Sequence, residues 1–197
     1  GFYTLFSLLA AISAFVIAER FSSKPLLAAL LFAAVPPFVV NGNSFESDLP
    51  FVAFWLAAVA AYLCERVWLA AASAFLAGMF AFQVVLLAPI LFFAPGRRKW
   101  AALLAAPLAF AAFQAFERLT GGALPARVLA GYLQTYQLNT FDLKLKNAIA
   151  LTGHLCVTLV SPLAWLRREP GGVRDARFLW AWIGIFFAGA LVIFFAG

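Results

Sequence analysis

Charged side chains are scarce in this chain, and acidic ones are the scarcest, with eight among 197 residues against fourteen lysines and arginines. At 11% charged, against about 25% in a soluble domain, the sequence cannot cover a globular surface with ions, which excludes an ordinary soluble domain. Histidine occurs once, at His154. The two cysteines, Cys64 and Cys156, lie in apolar runs and read as small buried hydrophobes. They give neither a disulfide framework nor a metal site. Alternation of apolar and polar residues is missing as well: the apolar runs are apolar all round and too long for barrel strands, which excludes a transmembrane β-barrel. No basic stripe with interleaved aromatics appears, so the net charge of +6 and pI near 9.8 do not indicate nucleic acid as a partner.

What is present is apolar sequence, 65% of the chain, with a mean hydropathy of +0.98. Only helices or closed barrels satisfy their backbone in lipid, so the sequence predicts an all-α polytopic transmembrane bundle, a single domain over 1–197. Spans are expected over Phe2 to Ala18, Leu26 to Val40 (kinked at Pro36-Pro37), Leu49 to Cys64, Trp100 to Phe116, Ala148 to Trp165 and Phe178 to Ala196. Trp68 to Ala94 is about 40 Å as one helix, longer than a hydrocarbon core of about 30 Å. A break between Gly78 and Gln83 makes two short helices of it, with Gln83 placed to satisfy freed backbone groups. Eight membrane segments result. The clusters at Arg20, Lys24, Arg66, Arg97-Arg98-Lys99 and Arg167 to Arg177 then share one face, cytoplasmic by the positive-inside rule.

The opposite face receives the parts that carry chemistry. Asn41 to Pro50 is a polar turn with two carboxylates, Glu46 and Asp48, between apolar runs. A charge at the bilayer centre costs roughly 2.5–3.5 kcal/mol, so both belong at a membrane face or in a protein-lined cavity. Ser47 or Asp48 is placed to cap the following span, and a capping Asp48 is also a carboxylate held at the outer face. Glu46 reads as a solvated loop residue or as half of a pair able to bind a divalent cation or divide acid and base roles. From Glu117 to Asn147 runs a long polar segment, with a turn at Thr120-Gly121-Gly122 and a helix from Pro125. There Leu124, Val128, Leu129, Tyr132, Leu133 and Tyr136 form one stripe, as in a helix lying in the membrane interface. Arg118, Arg127, Lys144 and Lys146 are its cations, interfacial anchors or phosphate holders. His154 reads as a histidine bonded to a neighbouring helix or as a site residue.

Ser44 to Phe51, followed by Ala53-Phe54-Trp55-Leu56, resembles the S-x-x-x-D-x-P-hydrophobic segment of the GT-C integral-membrane glycosyltransferases, of the protein O-mannosyltransferase and aminoarabinose-transferase type. Trp68-Leu69-Ala70 leading to Leu76-Ala77-Gly78, and Leu86 to Pro89 before Arg97-Arg98-Lys99, are similar to the same family. The likeness covers roughly residues 1–100. Two features depart from it: Phe82-Gln83 stands where many relatives have a cation, and the family's acidic motif of the first outer loop would lie upstream of Gly1. The resemblance implies sugar transfer from a polyprenyl-phosphate donor to a lipid, glycan or protein acceptor, outside the cytoplasm, in a membrane such as the bacterial inner membrane. It assigns Asp48 to the second acidic position, near acceptor or donor phosphate, and leaves the general base upstream. No cofactor is fixed beyond the divalent cation weighed for the acidic pair. The start at Gly1 and the apolar end at Gly197 suggest a fragment, with no signal peptide and, as a fragment, inactive by itself. The rivals are a transporter, with Asp48 or His154 on an ion path, and a non-catalytic assembly subunit.

Overall fold

The computed structural model describes residues 2–34, 48–95, 100–124, 127–128, 131–132, 135, 140–146, 148–149 and 176–196. Every regular element among them is helical: α1 (Phe2–Phe21), α2 (Pro25–Ala34), α3 (Asp48–Leu63), α4 (Val67–Gly78), a 3-10 segment (Phe82–Leu86), α5 (Leu87–Phe92), α6 (Trp100–Gly121) and α7 (Ala176–Ala196). Two of them, α1 from Tyr3 and α6, are long and apolar enough to cross a membrane by length and composition.

Many helix–helix contacts are made by small side chains, beside larger buried ones such as Trp55, Tyr62, Leu87 and Phe178, while many large apolar side chains face outward. Ala10, Ala53, Ala58, Ala70, Ala74 and Ala102 are all buried, while Leu8 is 56% exposed, Leu108 62% and Trp68 78%. Water would drive the opposite arrangement. Small residues let helix backbones approach closely, which is how helices associate where the surroundings are themselves apolar. On α4 the buried face is Ala70, Ser73, Ala74, Ala77 and Gly78; on α6 it is Ala102, Leu103, Ala105, Ala106 and Ala109. The contact tightens at Gly78, where an added Cβ would stand 2.5 Å from the Ala109 Cβ.

The turn between α3 and α4 is made without glycine. Arg66 N–H bonds the Ala61 carbonyl at 2.8 Å and Glu65 N–H the Tyr62 carbonyl at 3.0 Å, with Glu65 at φ 63°. This is the left-handed helix ending that usually takes Gly. Cys64 lies on this turn and is exposed, which corrects its reading as a buried hydrophobe: the apolar run ends one residue before it.

The long apolar run does break where its length required. α4 stops at Gly78, Ala81 is extended (φ −154°, ψ 144°), and the chain resumes as the 3-10 segment and α5. Freed backbone groups are met locally, by Phe80 N–H and Ala81 N–H on the Ala77 carbonyl and Val84 N–H on that of Ala81. Gln83, expected to serve them, is exposed instead. Chain reach explains the break. Gly78 lies against Ala109 and the buried residues of α6 all fall at 102–109, so α4 and α6 run side by side in one direction. A straight α4 would leave Ala94 roughly 37 Å from Trp100, and six links span only about 20 Å.

Ring contacts fix the two ends of the bundle. At one end Phe6 meets Phe54 (5.7 Å), Phe54 stacks on Phe80 (6.0 Å), and Phe82 meets Phe110 and Phe113 (5.9 and 6.0 Å). At the other, Phe21 stacks on Phe178 at 5.4 Å. α7 then runs back past Trp55, which meets Phe186 at 5.5 Å, to Gly189 beside Leu86. Arg20, Lys24, Arg66 and Arg177 therefore share an end with the start of α6. Asp48, the 79–82 break and the second half of α6 share the opposite end. Arg97, Arg98, Lys99, Arg167, Arg168 and Arg174 lie outside the described residues, as do Pro36-Pro37 and most of the expected 148–165 span.

Candidate functional site

Asp48 is the first residue of α3, and its side chain is exposed. Leu49 and Pro50 behind it are buried, so the helix start is seated while the carboxylate faces out. From the first turn the charge complements the positive end of the helix dipole. Ser47, the other candidate cap, lies outside the described residues, as do Glu46 and His154.

The cations of the second segment are placed differently from expectation. α6 continues five residues beyond Phe116, so Glu117, Arg118 and Thr120 belong to its last turns and not to a loop. Two contacts extend it: the Thr120 hydroxyl donates to the Phe116 carbonyl at 2.8 Å, and the Arg118 guanidinium donates to the Gly122 carbonyl. Gly122 follows at φ 72°, the left-handed residue that ends the helix. The expected turn thus falls one residue later, and Arg118 serves as a helix-end cation before any other role.

Further along, Leu124, Val128 and Tyr132 are all exposed at a spacing of four, the register of one helix face. Arg127 begins a helical turn with its N–H on the Leu124 carbonyl at 2.8 Å. Residues 141–146 are helical, and within them Lys146 pairs with Asp142 at 2.7 Å, both exposed. Sequence reasoning passed over Asp142; its spacing of four from Lys146 was the signal. Lys144 is half-buried on the same turn.

Among the described residues no ion pair or hydrogen bond joins Asp48 to Arg118, Arg127, Lys144 or Lys146, and no three His, Cys, Asp or Glu side chains gather as a metal-binding group. What the geometry provides is an exposed carboxylate at the head of a seated helix, at the end of the bundle toward which α6 carries Arg118. Such an arrangement can orient a hydroxyl or, with a counter-cation, a phosphate. No family model, curated protein or solved structure matches the chain.

Proposed function

We propose that the chain is the membrane-embedded part of a glycosyltransferase that takes a sugar from a polyprenyl-phosphate donor on the extracytoplasmic face. The observation that carries this reading is Asp48, an exposed carboxylate heading α3 at the bundle end opposite Arg20, Arg66 and Arg177. The sequence pattern around Asp48 supports it, and the close alanine and glycine contacts between helices together with exposed large apolar side chains such as Trp68 and Leu108 support embedding in lipid. In the reaction the acceptor hydroxyl attacks the anomeric carbon, the bond to the lipid phosphate breaks, and the polyprenyl phosphate leaves with the electron pair. Asp48 orients the acceptor or, through a divalent cation, the donor phosphate. The base that takes the hydroxyl proton belongs to another segment. In this reading eight segments cross or enter the bilayer with the Asp48 end outside, in the bacterial inner membrane.

The interrupted helix at 79–82 favours a second reading, transport, since broken helices line substrate sites in transporters. From Val67 to Pro95 there is no charged residue, which leaves that interruption without an ion ligand of the carboxylate kind and makes transport the weaker reading.

The test is Asp48→Asn in membranes carrying the full-length protein, supplied with polyprenyl-phosphate mannose and, separately, polyprenyl-phosphate aminoarabinose. Asn keeps the size and an acceptor oxygen and gives up only the charge–dipole contribution, about 0.3–1 kcal/mol at an exposed position, so insertion and yield should stay near normal. Release of polyprenyl phosphate should fall by on the order of 10²-fold or more, while Glu46→Gln should stay active. Unchanged release with Asp48→Asn leaves Asp48 as a helix-start residue and returns the chain to an assembly role.

A further inference from the structure

At the end of the bundle away from Asp48, a cleft opens between α1, α2, α3 and α7. Its volume is about 250 Å³, and Ala14, Ile17, Phe21, Ala28, Leu56 and Trp182 are among the side chains lining it. The volume lies below the roughly 300–1,000 Å³ of pockets that enclose a whole drug-sized ligand. It admits a stretch of one hydrocarbon chain and leaves the rest of a lipid outside.

The cleft reaches the last turn of α1 and the first of α7, because Phe21, Ser22 and Leu179 belong to its wall. Cations stand beside each of these. Arg20 precedes Phe21; Lys24 follows Ser22 by two residues, with its backbone N–H on the Ser22 hydroxyl at 3.1 Å; Arg177 precedes Phe178, which stacks on Phe21. Arg20, Lys24 and Arg177 have exposed side chains. With Arg66 they make four described cations at this end, against two acids, Glu19 and Glu65. A neutral lipid would gain nothing from that excess. An anionic headgroup gains about 1 kcal/mol per basic residue near the surface, roughly fivefold in affinity.

We propose that this cleft holds one acyl chain of an anionic phospholipid whose phosphate lies among Arg20, Lys24 and Arg177. The site rests on the membrane-embedded part of the proposed function and is independent of sugar transfer. It lies at the opposite end from Asp48, and its ligand is a resident lipid of the other leaflet. The bound chain lies against the apolar side chains of the cleft wall, and the phosphate offsets the charge gathered at its rim.

Full-length protein purified in a neutral detergent, titrated with dioleoyl phosphatidylglycerol or dioleoyl phosphatidylcholine, reports bound lipid by native mass spectrometry. These lipids share their chains and differ in headgroup charge. Phosphatidylglycerol should be retained at least tenfold better. Each of Arg20→Gln, Lys24→Gln and Arg177→Gln should lower its retention roughly fivefold and leave phosphatidylcholine unchanged. Ala28→Phe, which fills the cleft, should displace both lipids; Ala14→Leu provides the same check should the bulkier residue impair folding. Equal retention of the two lipids overturns the site, and so does a phosphatidylglycerol preference that survives both cleft-filling variants. Displacement of phosphatidylglycerol by millimolar inorganic phosphate also overturns it, since the chain would then contribute nothing. A chain that extracts without detergent removes the membrane reading itself, whereas a membrane-extracted chain without preference removes this inference alone.

Discussion

Gly78 is the position at which one added methyl group has no room. The atom it meets, the Ala109 Cβ at 2.5 Å, is fixed to helix backbone and has no rotamer to escape into. Gly78→Ala must therefore push α4 from α6, at about 1–3 kcal/mol for an overpacked contact, outweighing Ala's better helix propensity of about 1 kcal/mol. The expected result is a lower melting temperature in detergent, largely restored by Ala109→Gly in the double variant, because neighbouring substitutions do not add. If the two losses simply add, the close approach is not what limits stability. Single residues were unevenly legible from sequence. Asp48 stood out because a carboxylate flanked by apolar runs has few places to go. Cys64 misled because it ends such a run, and nothing in its neighbours announces a turn held by Glu65 at positive φ. Arg118 misled for a related reason: Gly121-Gly122 reads as a turn at either residue, and only the carbonyl that Arg118 reaches shows which.

At the scale of elements, the break after Gly78 was legible from length, since 27 apolar residues exceed a bilayer and the basic clusters had to share a side. Its construction was not. The return path is a 3-10 segment and a six-residue helix, too short for a period to show. It is tied to α6 by Phe82, whose ring meets Phe110 and Phe113. Aromatic pairs contribute about 0.5–1.5 kcal/mol each beyond area burial. Phe82→Ala should therefore destabilise the bundle by about 1–3 kcal/mol, with Phe82→Leu recovering part of it, read by thermal unfolding in one detergent. An unchanged melting point for Phe82→Ala would mean that the return path is held by the buried residues Val84, Leu87 and Ile90 alone.

For the molecule as a whole, the two ends differ in charge among the described residues: Arg20, Lys24, Arg66 and Arg177 outnumber Glu19 and Glu65 at one, while Asp48 and the end of α6 with Glu117 and Arg118 lie toward the other. Sequence read this division from the parity of the apolar runs, and it depended on counting the 68–94 run twice. The ring contacts give the same division by another route. With the approach of Gly78 to Ala109, they order α1, α3, α4, α6 and α7 along one axis without reference to charge. What sequence could not supply is the distance from Asp48 to any cation, because that depends on how far α6 projects beyond the break. Orientation in a membrane is open to a test that the chain itself provides. Cys64 is exposed on the α3–α4 turn at the basic end, where the positive-inside rule puts the cytoplasm. An impermeant maleimide added to intact cells should leave Cys64 unlabelled and should label it after permeabilisation, with Cys156→Ser removing the second thiol. In a Cys64→Ser, Cys156→Ser background, Ala123→Cys, exposed just beyond α6, should react in intact cells. Labelling of Cys64 from outside together with protection of position 123 would turn the bundle over and put Asp48 in the cytoplasm. An extracytoplasmic donor could then no longer reach it, and transfer at that end would have to use a cytoplasmic donor or be abandoned.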